Sequence, residues 1–308
     1  MNKVLITGHQ NPDTDTITSA ISFSYLQNSL GKNTEAVALG TPNEETQFAL
    51  DYFKINAPRI ISRASDETKD IILVDHNEFQ QSISDIEELN ILAVIDHHRI
   101  ANFHTSVPLY YRAEPVGCTQ TIILKMYKEN SVDIPPAIAG LMLSGIISDT
   151  LLFKSPTCTQ EDINAAQELA KIAGIEAEKY GLDLLKAGTN LSNKSAEELI
   201  SLDAKSFEVN GNKIRVAQVN TIDYDDVFSK KDSIEDTISK EINTQGYNLF
   251  LLVITNILDS DSKILAMGNA ASAAEKAFGV QLNNGEAILK GVVSRKKQII
   301  PQITEALS

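Results

Sequence analysis

Histidines and aspartates in this chain directly follow several of its apolar runs. The segments "VLITGHQNPDTD", "IILVDHN", "LAVIDHH" and "SGIISDT" each pass from aliphatic residues to ionisable ones. Turn formation does not require this crowding, because glycine, asparagine and proline alone would turn the chain. The segments hold four of the five histidines and several aspartates that could act in chemistry: His9, Asp13, Asp15, Asp75, His76, Asp96, His97, His98 and Asp149.

Each of these aspartates taken alone has an ordinary explanation, since an aspartate after a strand usually caps a helix or forms a turn. Their convergence is harder to explain in this way. Ligands of open α/β sheets bind beyond the carboxyl ends of the strands, so we expect three strand ends and one helix end to meet there. Carboxylates gathered without a basic neighbour would repel one another unless metal ions neutralised them. The pattern therefore predicts a metal site.

The ligand types narrow the choice of metal. Mixed imidazole and carboxylate ligands without thiolate suit Mn, Co, Fe or Zn, whereas an all-oxygen set would suit Mg or Ca. The ligands are too many for one ion, so we infer two ions about 3.5–4 Å apart that share a bridging carboxylate. Two divalent cations would leave the site roughly neutral, because four ionised aspartates offset their charge: Asp13, Asp15, Asp75 and Asp149.

A phosphate ester or anhydride would need further positive charge at such a site. The segment "VVSRKKQ" supplies Arg295, Lys296 and Lys297 after an apolar run, and Lys205 precedes them in the chain. Basic runs are more commonly solvated surface clusters. In a chain with a formal net charge of -14, a run of three basic residues after a strand is a candidate anion site.

The pattern of apolar runs predicts an α/β fold. The runs "KVLIT", "AVAL", "RIIS", "IILVD" and "ILAVID" are typical of buried strands, and they alternate with amphipathic stretches at 18–30 and 44–53. This rhythm indicates a mainly parallel sheet. Further helices are predicted over 119–129, 135–148, 159–173 and 177–186.

Residues 188–193 are predicted to form a hinge linker, because Gly, Thr, Asn and Ser are concentrated there without periodicity. We therefore expect a first domain over 1–187 and a smaller α+β domain over 194–308. In the second domain, "FEVNGNKIRVAQV" predicts a hairpin around Asn210-Gly211, and "LFLLVITNILDSDSKILAMG" predicts another that turns at 259–262.

Composition and charge limit the possible partners. The net charge of -14 disfavours nucleic acid as the main partner. No run approaches the roughly 18 apolar residues of a membrane span, and the N-terminal residues lack a signal-peptide pattern. Cys118 and Cys158 match no zinc spacing and suit a reducing compartment. We expect a cytoplasmic protein that binds neither nucleic acid nor membranes.

The motifs together resemble the DHH phosphoesterase superfamily, and more closely its manganese-dependent, or family II, inorganic pyrophosphatases. The resemblance covers essentially the whole chain and rests on "GHQNPDTDT", "VDHNE", "IDHHR", "EPVGCT", "SDT" and "SRKKQ". The N-terminal motifs indicate only the superfamily, while "SRKKQ" with Lys205 is the specific part. The resemblance implies an N-terminal DHH domain that binds the metals, with the active site in the cleft between the two domains.

The resemblance also implies individual roles. One metal would be held by His9, Asp13 and Asp75, and the other by Asp15, Asp75, His97 and Asp149, with Asp75 bridging. His98 would face the substrate phosphate, and Lys205, Arg295 and Lys296 would bind it from the second domain. Asp96 and His76 are not assigned as ligands, Asp96 being expected to orient a histidine. His104 is interpreted as structural.

The implied reaction is hydrolysis of pyrophosphate to two phosphates by a water that two metal ions activate, without a covalent intermediate. The implied cofactors are two Mn²⁺ per subunit, with Co²⁺ as an alternative, and Mg²⁺ arriving with the substrate. The resemblance further implies a homodimer that forms through the N-terminal domain and acts in phosphate metabolism.

Three alternatives stay open at the level of sequence. An exopolyphosphatase of the same superfamily would need a longer basic track than this chain shows. An oligonucleotide phosphodiesterase would usually carry a "GGGH" type motif, which is absent from the sequence. A non-catalytic nucleotide or metal sensor is disfavoured because every candidate ligand is present, and because the spacing from Asp75 to His97 leaves no room for an inserted domain.

Overall fold

The chain divides into two compact units, Met1–Gly188 and Thr189–Ser308. The computed structural model describes residues 3–189, 191 and 193–308. Of the predicted linker 188–193, Asn190 and Ser192 lie outside the described residues. Within the described ranges, no helix combines the length and the apolarity that crossing a membrane would require.

The first unit is built on a six-stranded sheet in the order β3-β2-β1-β4-β5-β6, in which every neighbouring pair is parallel. Most aliphatic residues of β1, β4 and β5 are buried, as is typical of parallel sheets covered on both faces, although Leu92 on β5 is exposed. The strands are β1 (Val4–Thr7), β2 (Thr34–Ala38), β3 (Arg59–Ile60), β4 (Asp70–Val74), β5 (Asn90–Asp96) and β6 (Tyr110–Ala113).

The described residues of the first unit form six α-helices, and the fourth of them is apolar on nearly all sides because the other five pack around it. They are α1 (Thr14–Ser29), α2 (Glu44–Phe53), α3 (Thr119–Glu129), α4 (Pro136–Thr150), α5 (Gln160–Ala173) and α6 (Ala177–Gly188). The predictions for 44–53 and 119–129 are confirmed at both ends.

The prediction of a helix over 18–30 is wrong at its start. Helix α1 begins at Thr14 because the Asp13 side chain caps it, accepting a hydrogen bond of 2.9 Å from the Thr16 backbone N–H. The apolar periodicity, which begins at Ile17, gives no indication of this capping residue. The earlier start places Asp15 in the first helical turn.

The second unit contains a mixed sheet in the order β11-β10-β9-β8-β7, in which only β8 and β9 are parallel. Strand β9 is buried along its whole length, because helices cover both faces of this sheet. The elements are α7 (Ala196–Ser201), β7 (Lys205–Val209), β8 (Asn212–Thr221), α8 (Asp225–Phe228), α9 (Lys231–Gln245), β9 (Leu249–Asn256), β10 (Asp261–Met267), α10 (Ser272–Phe278), β11 (Glu286–Leu289) and α11 (Ile300–Ala306).

Both predicted hairpins of the second unit are confirmed. Strands β7 and β8 pair antiparallel around Asn210 and Gly211, whose φ angles of 48° and 77° are those of a two-residue hairpin turn. Strands β9 and β10 form the other hairpin, but its turn lies at 257–260 and not at the predicted 259–262, because Asp261 already pairs with Asn256. The α/β class, with a parallel first sheet and a smaller second unit, is also confirmed.

Any side chain in place of Gly268, which follows β10, should destabilise the fold. Its φ is 110°, and a Cβ would lie 2.3 Å from the Asn248 carbonyl oxygen, a backbone atom that cannot move aside easily. We expect Gly268→Ala to lower the free energy of unfolding by about 2–4 kcal/mol. The matched control is Gly211→Ala, where no atom lies within 4 Å and only the cost of positive φ, about 1–2 kcal/mol, applies. Equal shifts of the two urea unfolding transitions would contradict a steric clash at Gly268.

Candidate metal centre

The predicted ligands of the first unit meet at one edge of its sheet. His9 follows β1, Asp75 follows β4 and His97 follows β5, and these three strands are neighbours with their carboxyl ends at the same edge. Helix α1 contributes Asp13 at its cap and Asp15 in its first turn, and α4 contributes Asp149 in its last turn. The topology thus brings together residues that lie far apart in sequence.

Ligand atoms at this edge form three groups that contain Asp75, two of which have no other residue in common. In each group, one atom per residue lies within 4.8 Å of all the others. Asp75 Oδ2 lies 3.6 Å from His9 Nε2, while Asp75 Oδ1 lies 3.4 Å from His97 Nε2. Two groups that share only Asp75 are His9, Asp13 and Asp75, and Asp15, Asp75, His97 and Asp149; the third, Asp75, His97 and His98, overlaps the second. A carboxylate with one oxygen toward each of the first two groups can bridge two ions.

Asp75 is held in place by donors from two helices. Thr16 Oγ1 in α1 donates to Asp75 Oδ2 at 2.7 Å, and Thr119 Oγ1 in α3 donates to Asp75 Oδ1 at 3.1 Å. The Asp75 backbone has a φ of 60°, and its N–H donates to the Ile95 carbonyl. Burial opposes ionisation of Asp75, but the hydrogen bond from His97 and the nearby histidine charges lower its pKa. Asp75 is therefore an ionised carboxylate that is oriented from both sides.

The two histidines of the centre present the same ring nitrogen. His9 Nδ1 lies 2.7 Å from the Gln10 carbonyl oxygen, and His97 Nδ1 lies 3.1 Å from the Val116 carbonyl oxygen. Since a carbonyl only accepts, we assign the proton to Nδ1 in each neutral ring, which leaves the Nε2 lone pair toward the carboxylates. Metal-ligating histidines are commonly oriented by such a second hydrogen bond.

The loop at 116–119 connects several of these groups. Its Val116 carbonyl orients His97, and the Thr119 N–H donates to Asp15 Oδ2 at 2.8 Å. Asp162, fully buried at the start of α5, fixes the loop by accepting from the Gly117 N–H at 2.8 Å and from Thr121 Oγ1 at 2.6 Å. A single buried carboxylate thus supports the loop that orients His97, Asp15 and Asp75.

The charges and pKa values at this centre favour the binding of cations. Burial, followed by the Asp75 charge, raises the pKa of Asp15 to about 7, and burial with the neighbouring aspartates raises that of Asp149 well above its usual range. Asp149 Oδ2 is buried and has no hydrogen-bond partner among the described residues. In the same part of the chain, the ion-pair partners of Asp13, Asp75 and Asp149 are histidines. An unpartnered carboxylate oxygen beside clustered carboxylates and imidazoles fits a pair of divalent ions.

His98 lies at the edge of the centre and is about half exposed, with 49% of its side chain accessible. Its Nδ1 donates to Asp96 Oδ1 at 3.0 Å, and Asp96 Oδ2 accepts from Asn77 Nδ2 at 2.6 Å. Burial opposes protonation of His98, but the hydrogen bond to Asp96 raises its pKa. Asp96 belongs to none of the ligand groups that contain Asp75 and orients a histidine, as expected.

The remaining histidines have structural surroundings. His76 is buried, with Nδ1 bonded to the Val74 carbonyl at 2.9 Å and Nε2 to Ser82 Oγ at 3.0 Å. Burial lowers the pKa of His76 to about 4, so the ring is neutral at pH 7. His104 packs against the Phe79 ring, with centroids 5.0 Å apart.

The basic candidates of the second unit differ in their surroundings. Arg295 is only 8% exposed, and its Nη2 pairs with Asp203 Oδ1 at 2.7 Å. Its Nε and Nη1 have no hydrogen-bond partner within the part of the chain that the structure describes. Gln218 Oε1 accepts from the Arg295 N–H at 3.1 Å and fixes the backbone there. Lys205 and Lys296 are exposed. A buried guanidinium with unpartnered donors is suited to binding an anion.

Comparison with known proteins identifies the family. The DHH family N-terminal domain matches residues 3–146, and the DHHA2 domain matches residues 182–306. The manganese-dependent inorganic pyrophosphatase of Bacillus subtilis (strain 168) is 62% identical over 308 residues, which cover 100% of both chains. This chain belongs to the manganese-dependent inorganic pyrophosphatase family.

Other relatives agree with this membership in the manganese-dependent pyrophosphatase family. A probable manganese-dependent inorganic pyrophosphatase of Enterococcus faecalis (strain ATCC 700802 / V583) is 66% identical over 308 residues, covering 100% of both chains. A candidate family II inorganic pyrophosphatase of Methanococcus jannaschii has a solved structure with a TM-score of 0.76 and 40% identity, covering 99% of each chain. The resemblance seen in the sequence motifs is therefore confirmed.

A more distant likeness concerns the fold alone. An exopolyphosphatase-related protein of Bacteroides fragilis has a solved structure with a TM-score of 0.53 and 15% identity. The match covers 99% of this chain and 92% of that one. The fold is thus shared beyond the manganese-dependent pyrophosphatases.

Several residues that shape this pyrophosphatase family member's site were not assigned a role from its sequence. Thr16 and Thr119 lie within the quoted motifs, but only the structure shows their hydroxyls on Asp75. Asp162, Asp203 and Gln218 lie outside every quoted motif. Their partners are distant in sequence or depend on the local fold, so no pattern signal marks them.

Metal binding should release protons from this pyrophosphatase family member. Although burial opposes protonation, Asp13 and Asp75 raise the pKa of His9 to about 10, and Asp75 raises that of His97 to about 9. Both rings are therefore protonated in the metal-free protein at pH 7, and metal ligands must be deprotonated. We expect Mn²⁺ binding at pH 7 to release at least two protons, because the raised pKa values of Asp15 and Asp149 add to the release from the two rings. The apparent affinity should rise from pH 6 to 9.

Calorimetric titration with Mn²⁺ in buffers of different ionisation enthalpy measures this release. A binding enthalpy that is the same in every buffer would contradict the assignment, because it would mean that no protons leave the protein.

Proposed function

We propose that this protein hydrolyses inorganic pyrophosphate to two phosphates, using two manganese ions held at the metal centre. The observation that carries the proposal is the pair of ligand groups sharing the buried Asp75 carboxylate. The names of full-length relatives at 62% and 66% identity support the substrate and the metal.

The two groups define the proposed ligands of each ion. His9, Asp13 and Asp75 would hold one, and Asp15, Asp75, His97 and Asp149 the other. Bound divalent ions would supply an activated water as nucleophile and positive charge for the phosphoryl oxygens. Cobalt could replace manganese, because imidazole and carboxylate ligands do not separate these two metals.

His98 is proposed to act on the substrate phosphate. Its Nδ1 is engaged by Asp96, so its other ring nitrogen, Nε2, would face the substrate. The raised pKa favours the protonated ring, which can donate a hydrogen bond to a phosphate oxygen or a proton to the leaving group. Asp96 maintains the ring orientation that this role needs.

The second unit is proposed to neutralise substrate charge. Arg295 offers its unpartnered Nε and Nη1, and Lys205 and Lys296 add mobile ammonium groups. Pyrophosphate would arrive with Mg²⁺, since such a densely charged anion needs further neutralisation. In this proposal residues 1–187 form the metal-binding catalytic domain, 188–193 a hinge linker and 194–308 the substrate-binding domain.

We also infer a cytoplasmic homodimer that serves phosphate metabolism and associates through the first domain. The inference rests on the family resemblance. Strand β6 supports it, because it ends the six-stranded sheet and Tyr110 on it is 51% exposed. Such an open edge is a natural place for a second chain to pair.

The substrate is tested with metal-stripped protein that is reloaded with Mn²⁺ and assayed in Mg²⁺. Phosphate release is compared for pyrophosphate, a long polyphosphate and a short oligonucleotide at equal phosphorus concentration. We expect strongly preferred cleavage of pyrophosphate. Preference for either polymer would overturn the proposed substrate while keeping two-metal chemistry, and no release from any of the three would overturn the enzymatic proposal.

Two variants should separate metal binding from substrate binding. Asp75→Asn removes the bridging charge, so we expect it to lose at least one ion and most turnover. Lys296→Ala should raise KM and slow turnover while keeping full metal content, because Lys296 is proposed to contact only substrate. The matched control is Lys240→Ala, which removes the same charge from a position on α9.

Metal content after gel filtration and steady-state kinetics are measured for all three variants. Full metal content in Asp75→Asn would contradict the bridging role, and metal loss in Lys296→Ala would contradict its placement on the substrate side.

A further inference from the structure

Glu45 occupies an unusual place for a glutamate in the first turn of a helix. Such residues normally face solvent and interact with the helix dipole. The Glu45 side chain instead turns toward the end of α4, where Oε1 accepts from two hydroxyls. Thr14 Oγ1 donates at 2.6 Å and Ser148 Oγ donates at 2.5 Å.

Both donors are direct neighbours of proposed metal ligands. Thr14 lies between Asp13 and Asp15 at the start of α1, and Ser148 immediately precedes Asp149 near the end of α4. One oxygen of Glu45 therefore connects the two chain segments that supply these three ligands. Asp15 and Asp149 belong to the same ligand group, so the spacing of these two segments sets the spacing of two proposed ligands.

The position of the Glu45 side chain is fixed from other directions. Thr14 is fully buried, and its hydroxyl also lies 3.1 Å from Thr46 Oγ1 on α2. On the opposite side, a Cβ at Gly188 would lie 2.8 Å from Glu45 Oε2 and 2.9 Å from Glu45 Cβ. The last residue of α6 thus leaves room for this side chain only because it is glycine.

We propose that Glu45 is a positioning residue for the metal centre. It sets the spacing of the α1 and α4 segments through Thr14 and Ser148, and so the spacing of Asp15 and Asp149. It touches neither metal nor substrate. The inference rests on the proposed function only in taking Asp13, Asp15 and Asp149 as metal ligands, and it requires no particular substrate.

The acceptor role distinguishes Glu45 from a mere contributor of negative charge. Glu45→Gln keeps a carbonyl oxygen that can accept both hydroxyls but removes the charge, whereas Glu45→Ala removes both. Glu44→Ala is the matched control, because Glu44 is the exposed preceding residue in the same helical turn. The thermal unfolding temperature of each metal-free variant shows whether the fold is intact.

The experiment measures the Mn²⁺ dissociation constant of the full-length protein by competition with a chelating indicator, without substrate. We expect Glu45→Ala to weaken binding by about 10–100-fold, the usual effect of removing a residue that orients metal ligands. Glu45→Gln and Glu44→Ala should bind within about threefold of the parent protein. Unchanged affinity in Glu45→Ala, or an equal loss in Glu45→Gln, would overturn the proposal.

A double-mutant cycle keeps the test valid if Glu45→Ala lowers stability. Ser148→Ala removes one donor and leaves Glu45 in place. If both residues act through their shared hydrogen bond, the double variant should lose much less affinity than the sum of the two losses. Additive losses would overturn the proposal. Because metal affinity is measured directly, failure to hydrolyse pyrophosphate would contradict the proposed function and leave this result interpretable.

Discussion

Mutual repulsion between clustered carboxylates is the constraint on which the first unit depends. Asp13, Asp15, Asp75 and Asp149 converge where no lysine or arginine among the described residues pairs with them. Burial and proximity push the pKa of Asp15 to about 7. The metal-free fold can accommodate the cluster by taking up protons on Asp15 and on the histidines. Divalent ions would replace those protons. The clustering of carboxylates that raises the free energy of the metal-free fold therefore also favours cation binding.

The topology of the sheet makes this convergence possible. Strand β4 lies between β1 and β5, so the residue after β4 is placed between the residues that follow its two neighbours. That residue is Asp75, and its two oxygens face His9 on one side and His97 on the other. Its shared position thus follows from strand order, whereas Asp15 and Asp149 reach the same place only because α1 and α4 pack together.

Sequence patterns were sufficient for the elements whose signals are local. Apolar runs located most strands of the first sheet, and periodicity located α2 and α3 at both ends. Strand β6 escaped prediction because "YYRA" is a polar edge strand without a buried face. The start of α1 was missed because a capping bond, and not apolar spacing, sets it. Local patterns fail where one polar contact or an open sheet edge decides the structure.

The candidate ligands can be recognised in the sequence because strand ends can be recognised. The residues that orient those ligands cannot. Thr16, Thr119 and Asp162 have side chains common in turns and helices, and their roles arise only when distant segments meet. Glu45 is the hardest of these residues to recognise, because a glutamate in the first turn of a helix is fully explained by the helix dipole. Its contact with Thr14 and Ser148 depends on the packing of three helices, which no local pattern contains.

The hydrogen bonds that orient the candidate ligands have a consistent direction. The carboxylates Asp15 and Asp75 receive hydrogen bonds, from Ser19, Thr119 and Thr16, whereas the histidines give theirs to carbonyls. Donors on the carboxylates favour the ionised form, and acceptors on Nδ1 leave the Nε2 lone pair facing inward. Both choices concentrate electron density at the centre. The groups that hydrogen-bond to these carboxylates and rings are thus hydroxyls and backbone groups, which add no charge of their own to the candidate metal centre.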